Sequence, residues 1–580
     1  MNKIKGEPVQ RTRREALKLG AVVTAATALP SSVGLTSALA KDPPPGPTTP
    51  AFMVPLPVYS AKSAESTLVP APMETANLAG GECGRLAHQG WSNWAPQKFY
   101  TLRVKEAQHS FHPFLPTQKV WGYDGMVPGP TFVARYGQPV LVRIHNELPN
   151  NAVGFGSPEI STHLHNLHCA SESDGFAGDY YSSTKAGPTL GAPGGYKDHH
   201  YPNCYASYDR YDSTNGDPRE GLGTLWYHDH RLDFTGANVY RGMAGFYLLF
   251  DHIDSGNEND TNPTALRLPS GVGVYDIPLA IQDKQFDAGG YLTFDQFESK
   301  GQLGNKFLVN GKIQPFFKVQ RRKYRFRLLD ASLARYYELY ITKAGANQTF
   351  QYISNDGNLL PAPLTSNKVF FGPAERGDIV VDFSQYPEGT QLFMVNRLIQ
   401  TDGRGPEDAL TNVRNASGDL VNGGVALLRF DVEGPLVADG SRVPAVLRAL
   451  PPINLAEVVK TRRFEFDKVN EVWTINGQIF DPEVVAANPK RGTSEIWVLK
   501  GKGSWHHPVH IHMTEGRILS RNGATAPVHE RGRKDVYVLR PGEEVRVLLR
   551  FSDFTGKYMM HCHNLTHEDH AMMVRFDIVP

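Results

Sequence analysis

Three stretches of this chain repeat one design, a turn dipeptide followed after a short gap by an alternating strand, and this repetition limits the possible folds more than any other feature. The first runs from Asp124-Gly125 to Gly137 and on through Val142, the second from Asn310-Gly311 to Lys323 through Arg327, and the third from Asn476-Gly477 to Gly492 through Trp497. Asn-Gly and Asp-Gly favour tight hairpin turns, and a period of two marks a strand with one buried face. A further pair recurs in the last two units, where Gly377 to Phe383 matches Gly542 to Leu548. From Asn310 to Gly377 is 67 residues and from Asn476 to Gly542 is 66. Turns that merely converged on the same chemistry have little reason to keep that distance. At 580 residues the chain exceeds what one core supports. Gly (55) and Pro (42) are plentiful and long amphipathic helical stretches are missing. The expectation is therefore an all-β protein of three Greek-key β-sandwich domains, at residues 41-255, 256-435 and 436-580. Linkers are expected near Ile253 to Pro269 and Val432 to Pro452, where turn formers and proline collect.

Charge excludes one class of partner. Lys plus Arg total 60 against 59 for Asp plus Glu, a net charge of +1, which offers nothing to a polyanion, so no nucleic acid is expected. The four cysteines, at 83, 169, 204 and 562, are too few to staple a chain this long. Cys169 and Cys204 lie in one extended loop and are expected to pair, leaving Cys83 free. Residues 1-40 read as a twin-arginine export signal: Arg13-Arg14 precedes an apolar stretch from Leu19 to Leu29, and Ala38-Leu39-Ala40 offers a cleavage site. A periplasmic or secreted protein is expected. The apolar stretch is too short to span a bilayer and no other segment approaches that length, so no membrane span is expected.

Of 21 His, ten fall into four tight clusters near the two ends of the mature chain. They are His163-Leu164-His165, His228-Asp229-His230, His507-Pro508-Val509-His510-Ile511-His512, and His561-Cys562-His563 followed by His567 and Met572. A lone His usually serves a core or the surface, and that reading suffices for His88, His109, His112, His145, His252 and His529. It fails for four clusters containing H-x-H, because residues two apart on a strand share a face and can point at one site. Two His, one Cys and a weak axial Met are the donor set of blue copper. Cys562, His567 and Met572 supply three of these from one loop, and His507 is assigned as the fourth. Zinc, which favours closed tetrahedral or three-ligand sites, leaves most of the ten His without a role.

The four clusters, in this order, resemble the copper-binding motifs of the multicopper oxidases: H-x-H, H-x-H, H-P-x-H-x-H, and H-C-H-x-x-x-H with Met ten residues after the Cys. More narrowly, Trp226 to His230, Lys323 to Arg327, Trp473 to Gly477 and His561 through His570 resemble bilirubin oxidases and bacterial spore-coat laccases. The similarity covers most of the chain after about Pro96. It implies three cupredoxin-like domains and four copper ions. His507, Cys562, His567 and Met572 would hold type 1 copper, and His163 and His510 type 2. His165, His228 and His563 would hold one type 3 ion, with His230, His512 and His561 on the other. Asp174 and Glu568 match positions where the family places carboxylates near its oxygen cluster, with proton supply as the implied role. Asp229 is expected to orient a ligand ring. His168, His506 and His570 stay unassigned.

The implied reaction couples one-electron oxidation of phenols, aromatic amines or tetrapyrroles to four-electron reduction of O2 to water. The reductant is a small molecule, its electrons are expected to arrive through the exposed edge of a ligand His, and Trp473 and Trp505 are candidates to line the approach. A metal-ion oxidase acting on Cu(I) or Mn(II) is the alternative enzyme, although the 11 Met form no Met-rich run of the kind cuprous oxidases carry. A copper-free structural protein of the same fold is the non-enzyme alternative, and the complete ligand set argues against it. A monomer is expected.

Overall fold

The computed structural model describes residues 46–68, 87–151, 153–407 and 423–580. The export signal expected at 1-40 and Cys83 lie outside them. All three turn dipeptides adopt one geometry: Asp124 and Gly125, Asn310 and Gly311, and Asn476 and Gly477 each have positive φ at both positions. A two-residue hairpin turn needs that backbone, and Asn, Asp and Gly tolerate it.

Pairing around each turn repeats as well. Lys98–His109 pairs antiparallel with Gln118–Tyr123, just before the turn, and parallel with Val140–Asn146, after it. Asp276–Lys284 relates in the same way to Lys306–Val309 and Lys323–Asp330, and Val458–Val469 to Val472–Ile475 and Thr493–Gly501.

Six sheets result, two in each of three cupredoxin-like sandwiches. Between residues 98 and 250 there are two four-stranded sheets, between 276 and 436 a seven- and a six-stranded sheet, and between 458 and 578 a six- and a five-stranded sheet. Strand Glu544–Phe551 shows why the sheets hold their register. Val545, Val547, Leu549 and Phe551 are fully buried while the residues between them are partly exposed. Each such side chain contributes roughly 1.5–3 kcal/mol on burial, and a slip of one residue would turn the whole set outward. The segment 46–68 ties the sandwiches together, its amides donating to carbonyls of Gln314 and Phe316 in the middle unit and of Thr131 and Phe99 in the first. Among the described residues no helix is long and apolar enough to cross a membrane.

The expected Cys169–Cys204 disulfide is not formed, and both thiols are free and buried. Cys169 packs into the core of the first sandwich, whereas Cys204 packs with Trp94 into that of the third. Closeness in the sequence gave no information about which core each would join.

Candidate metal centre

Two antiparallel strand pairs build the site. Between Thr162–His165 and Thr224–Asp229 the register sets His163 opposite His228. Between His507–Ile511 and Gly556–Cys562 it sets His510 opposite His561, and Val509 opposite Cys562. Side chains alternate along a strand, so His510 and His561 share one face while His507 and Cys562 share the other. The first face meets the first sandwich across a buried seam. There the rings of His163 and His512 stack with centroids 3.8 Å apart, and those of His165 and His510 at 3.7 Å. Ligand atoms of His163, His510 and His512 lie within 4.8 Å of one another, as do those of His163, His165 and His228, and of His230, His512 and His561. The His563 ring lies 5.3 Å from that of His165 and 5.4 Å from that of His228.

The second face forms its own group inside the third sandwich. Nδ1 of His507 and Nδ1 of His567 lie 3.6 and 3.5 Å from Cys562 Sγ. Met572 is fully buried in the same core, and its carbonyl accepts the Cys562 amide at 3.1 Å.

Hydrogen bonds fix which nitrogen each ring presents. His163, His228 and His510 donate Nδ1–H to the backbone carbonyls of Asp174, Asp229 and Asp535, leaving Nε2 of each buried and without a hydrogen-bond partner. His567 donates from Nε2 to the carbonyl of Lys300 at 2.9 Å, which leaves its Nδ1 lone pair facing the Cys562 sulfur. A buried acceptor without a donor costs about 1–3 kcal/mol, and several converging on one space is the arrangement a metal ion relieves. Burial, reinforced by neighbouring imidazoles, holds His228 down to about 3 and His230 down to about 4, so these rings are neutral, as ligands must be. Burial pushes the Cys562 thiol up, so its thiolate needs a cation beside it. The soft sulfur with two imidazoles and a thioether nearby fits copper.

Both expected carboxylates lie against this centre. Asp174 Oδ2 accepts Nδ1–H of His512 at 2.7 Å. Glu568 reaches Nδ1 of His561 at 2.8 Å and Nδ1 of His230 at 3.5 Å. Burial alone would raise Glu568, but His561 beside it more than offsets this and holds the carboxyl well below the usual range.

Asp229 orients a ligand ring, as expected, but through its backbone. Its carboxylate accepts from Ser161 N and Asn238 Nδ2, and it is the Asp229 carbonyl that holds His228. His168, His506 and His570 contact Asp553, the Arg404 carbonyl and the Gln296 carbonyl. Nor is any ligand ring edge exposed: His507 and His567 are both fully buried. Trp473 lies with its ring centroid 3.7 Å from that of His567, and Trp505 packs edge-on against Trp473 at 4.8 Å. One participant escaped the sequence reading. Asp535 groups with His165 and His510, yet it sits in the run Arg533-Lys534-Asp535, which in sequence looks like a solvated stretch.

Two sequence profiles described as multicopper oxidase match residues 104–189 and 452–580, the segments that carry the first and the last two clusters. A bilirubin oxidase from Albifimbria verrucaria is 34% identical over 92% of this chain and 82% of its own length. The chain belongs to the multicopper oxidase family. As a member it is a copper-binding oxidoreductase that uses oxygen. A laccase from Bacillus subtilis (strain 168) is 29% identical over 83% of this multicopper oxidase and 94% of its own length. Among solved structures, the McoA multicopper oxidase from Aquifex aeolicus superposes with a TM-score of 0.66 at 26% identity, covering 84% of this chain and 97% of the other. A laccase from Pediococcus acidilactici, 22% identical, shares the fold with a TM-score of 0.70 over 92% and 96%.

One glycine lets the cluster form. The short helix Ser171–Asp174 ends at Gly175 with φ of 90°, and a Cβ there would stand 2.2 Å from the Thr162 carbonyl oxygen and 2.6 Å from His163 Cα. Gly175→Ala should cost about 1–3 kcal/mol and displace the strand that carries His163 and His165. Thermal unfolding and metal analysis should show a lower midpoint and less copper per chain.

Proposed function

We propose that this multicopper oxidase holds four coppers and oxidises phenols, aromatic amines or bilirubin-like tetrapyrroles one electron at a time. Type 1 copper would be held by His507, Cys562, His567 and Met572, and type 2 copper by His163 and His510. The type 3 pair is assigned to His165, His228 and His563 on one ion and to His230, His512 and His561 on the other. When bound, copper would supply one-electron chemistry, accepting the substrate's electrons singly and passing four of them, with four protons, to dioxygen to give two waters.

The observation that carries this reading is the parity of one strand. Cys562 faces His507 and His567, while His561 and His563 on either side of it belong to the imidazole group at the seam. The two groups are thereby joined through a few covalent bonds. Glu568 bridges Nδ1 of His561 and Nδ1 of His230, where a carboxylate both fixes the rings and can hand on a proton. Asp174 anchors His512 from the other side. Trp473 and Trp505 pack against His567, an aromatic surround that suits an aromatic reductant, and the relatives named bilirubin oxidase and laccase support the same substrate class. Export by the twin-arginine route to a periplasm or the exterior, as a monomer, completes the proposal, with Arg13-Arg14 as its support.

Metal analysis of the loaded protein should give four coppers per chain and a blue absorption band. Cys562→Ser should remove both the band and turnover, whereas zinc, or a single copper, would overturn the assignment. Glu568→Gln keeps volume and removes only the titratable group. Mixing the fully reduced enzyme with oxygen should then be slower by about 10²–10⁴-fold, while anaerobic bleaching of the blue band by a phenol keeps its wild-type rate. The reverse pattern would place Glu568 at the type 1 site. Replacing Arg13 and Arg14 together with Lys should leave the precursor in the cytoplasm, and cell fractionation showing normal export would remove the twin-arginine reading.

A further inference from the structure

The middle sandwich supplies none of the candidate copper ligands, yet one of its arginines reaches the metal centre. Arg376, at the start of strand Arg376–Asp382, is fully buried. Its guanidinium grips the carboxylate of Asp535 with two parallel hydrogen bonds, Nη1 to Oδ1 at 2.8 Å and Nη2 to Oδ2 at 2.7 Å. Asp535 immediately precedes Val536–Leu539, the strand that pairs with His507–Ile511. The Asp535 carbonyl accepts Nδ1–H of His510 at 3.1 Å, and its Oδ2 lies 3.5 Å from Nε2 of His165. One residue thus touches an imidazole from each of the two sandwiches that form the seam.

The back of the same arginine is tied down as firmly. Its Nη2 also donates to the Asp356 carbonyl at 3.0 Å, and that carbonyl accepts Asn166 Nδ2 at 2.9 Å, from the residue that follows His165. Asp356 Oδ2 accepts the backbone amides of Asp535 and Val536 at 3.3 and 3.2 Å.

We infer that Arg376 and Asp535 are positioning residues: the guanidinium fork fixes Asp535, Asp535 orients the rings of His510 and His165, and the middle sandwich so sets the geometry of a site to which it gives no ligand. This rests on the copper assignment proposed above. An ion pair kept for stability alone is the competing explanation, but such pairs add little over apolar residues of the same volume, because desolvation offsets the attraction. What a planar fork adds is direction, since two parallel bonds leave the carboxylate one orientation. The structure also contains an internal control. Arg143 grips Asp198 with a fork of the same kind, Nε to Oδ1 at 2.7 Å and Nη2 to Oδ2 at 2.8 Å, buried in the sheet of the first sandwich that carries none of the candidate ligands.

The test uses the full-length, copper-loaded protein challenged with a copper chelator, with Asp535→Asn compared with wild type and with Asp198→Asn. Asp535→Asn should release its non-blue copper about 10–100-fold more readily and show an altered electron paramagnetic resonance spectrum for the non-blue copper that remains. The blue band, which arises on the other face of the strand, should persist. Asp198→Asn should lose stability and keep wild-type copper behaviour. Arg376→Lys retains the charge without the fork and should follow Asp535→Asn. If Asp535→Asn does not fold, the double variant Arg376→Gln with Asp535→Asn leaves no buried charge unpaired and carries the same comparison. A folded variant with wild-type retention and spectrum of non-blue copper would overturn the inference and leave the pair purely structural. A wild-type protein that holds blue copper but no non-blue copper would overturn the assignment beneath it, an outcome visible before any variant is made.

Discussion

At the seam between the first and third sandwiches Nε2 of His561 comes within 3.2 Å of Nε2 of both His230 and His512, with further buried imidazoles around them. Packing imidazole rings this tightly, several with lone pairs that nothing in the protein satisfies, is tolerable only where a cation completes the arrangement. The rest of the architecture answers that constraint. Two sandwiches must dock in one register, backbone carbonyls must hold Nδ1 atoms, and carboxylates must stand behind the rings at Asp174 and Glu568.

Docking of that accuracy depends on charges as well as on apolar cores. Arg325 pairs with Asp254 and Asp378, Arg327 with Asp276, and Arg376 with Asp535, all essentially without solvent contact. Several of these contacts also join sandwiches. Arg327 Nη1 donates to Thr224 Oγ1, at the start of the strand that carries His228, and Arg376 crosses to the third unit. Breaking one partner of such a pair typically costs about 3–5 kcal/mol, although the intact pair adds little net stability. Their contribution is to admit one arrangement of the three units and penalise others.

The two candidate ligand groups are separated by the pleat of a single strand. Cys562 lies among Phe466, Trp473, Met560 and Met572 in the third core, whereas His561 beside it stands at the seam. The apolar side excludes water from the sulfur, and the seam side collects imidazoles and carboxylates. Trp473 packs against the His567 ring and is itself held by a hydrogen bond from Nε1 to the Ser299 carbonyl at 2.6 Å.

Much of this was legible in the residues alone. The H-x-H spacing puts two rings on one face of any strand, the neighbours of Cys562 must fall on the face opposite its sulfur, and Asn476-Gly477 or Asn310-Gly311 demand a hairpin backbone wherever they occur. These follow from covalent geometry and the period of two, which no tertiary context alters. The tertiary structure alone decided which rings meet, since His163 stacks on His512 and His165 on His510 from opposite ends of the chain. It likewise sent Cys169 and Cys204 into different cores, used the Asp229 carbonyl in place of its carboxylate, covered His567, and drew Asp535 out of a charged run to face Arg376. Local sequence sets the direction in which a side chain leaves its strand, but what it meets there depends on how separately folded sandwiches dock, and that is fixed by complementary surfaces spread over hundreds of residues.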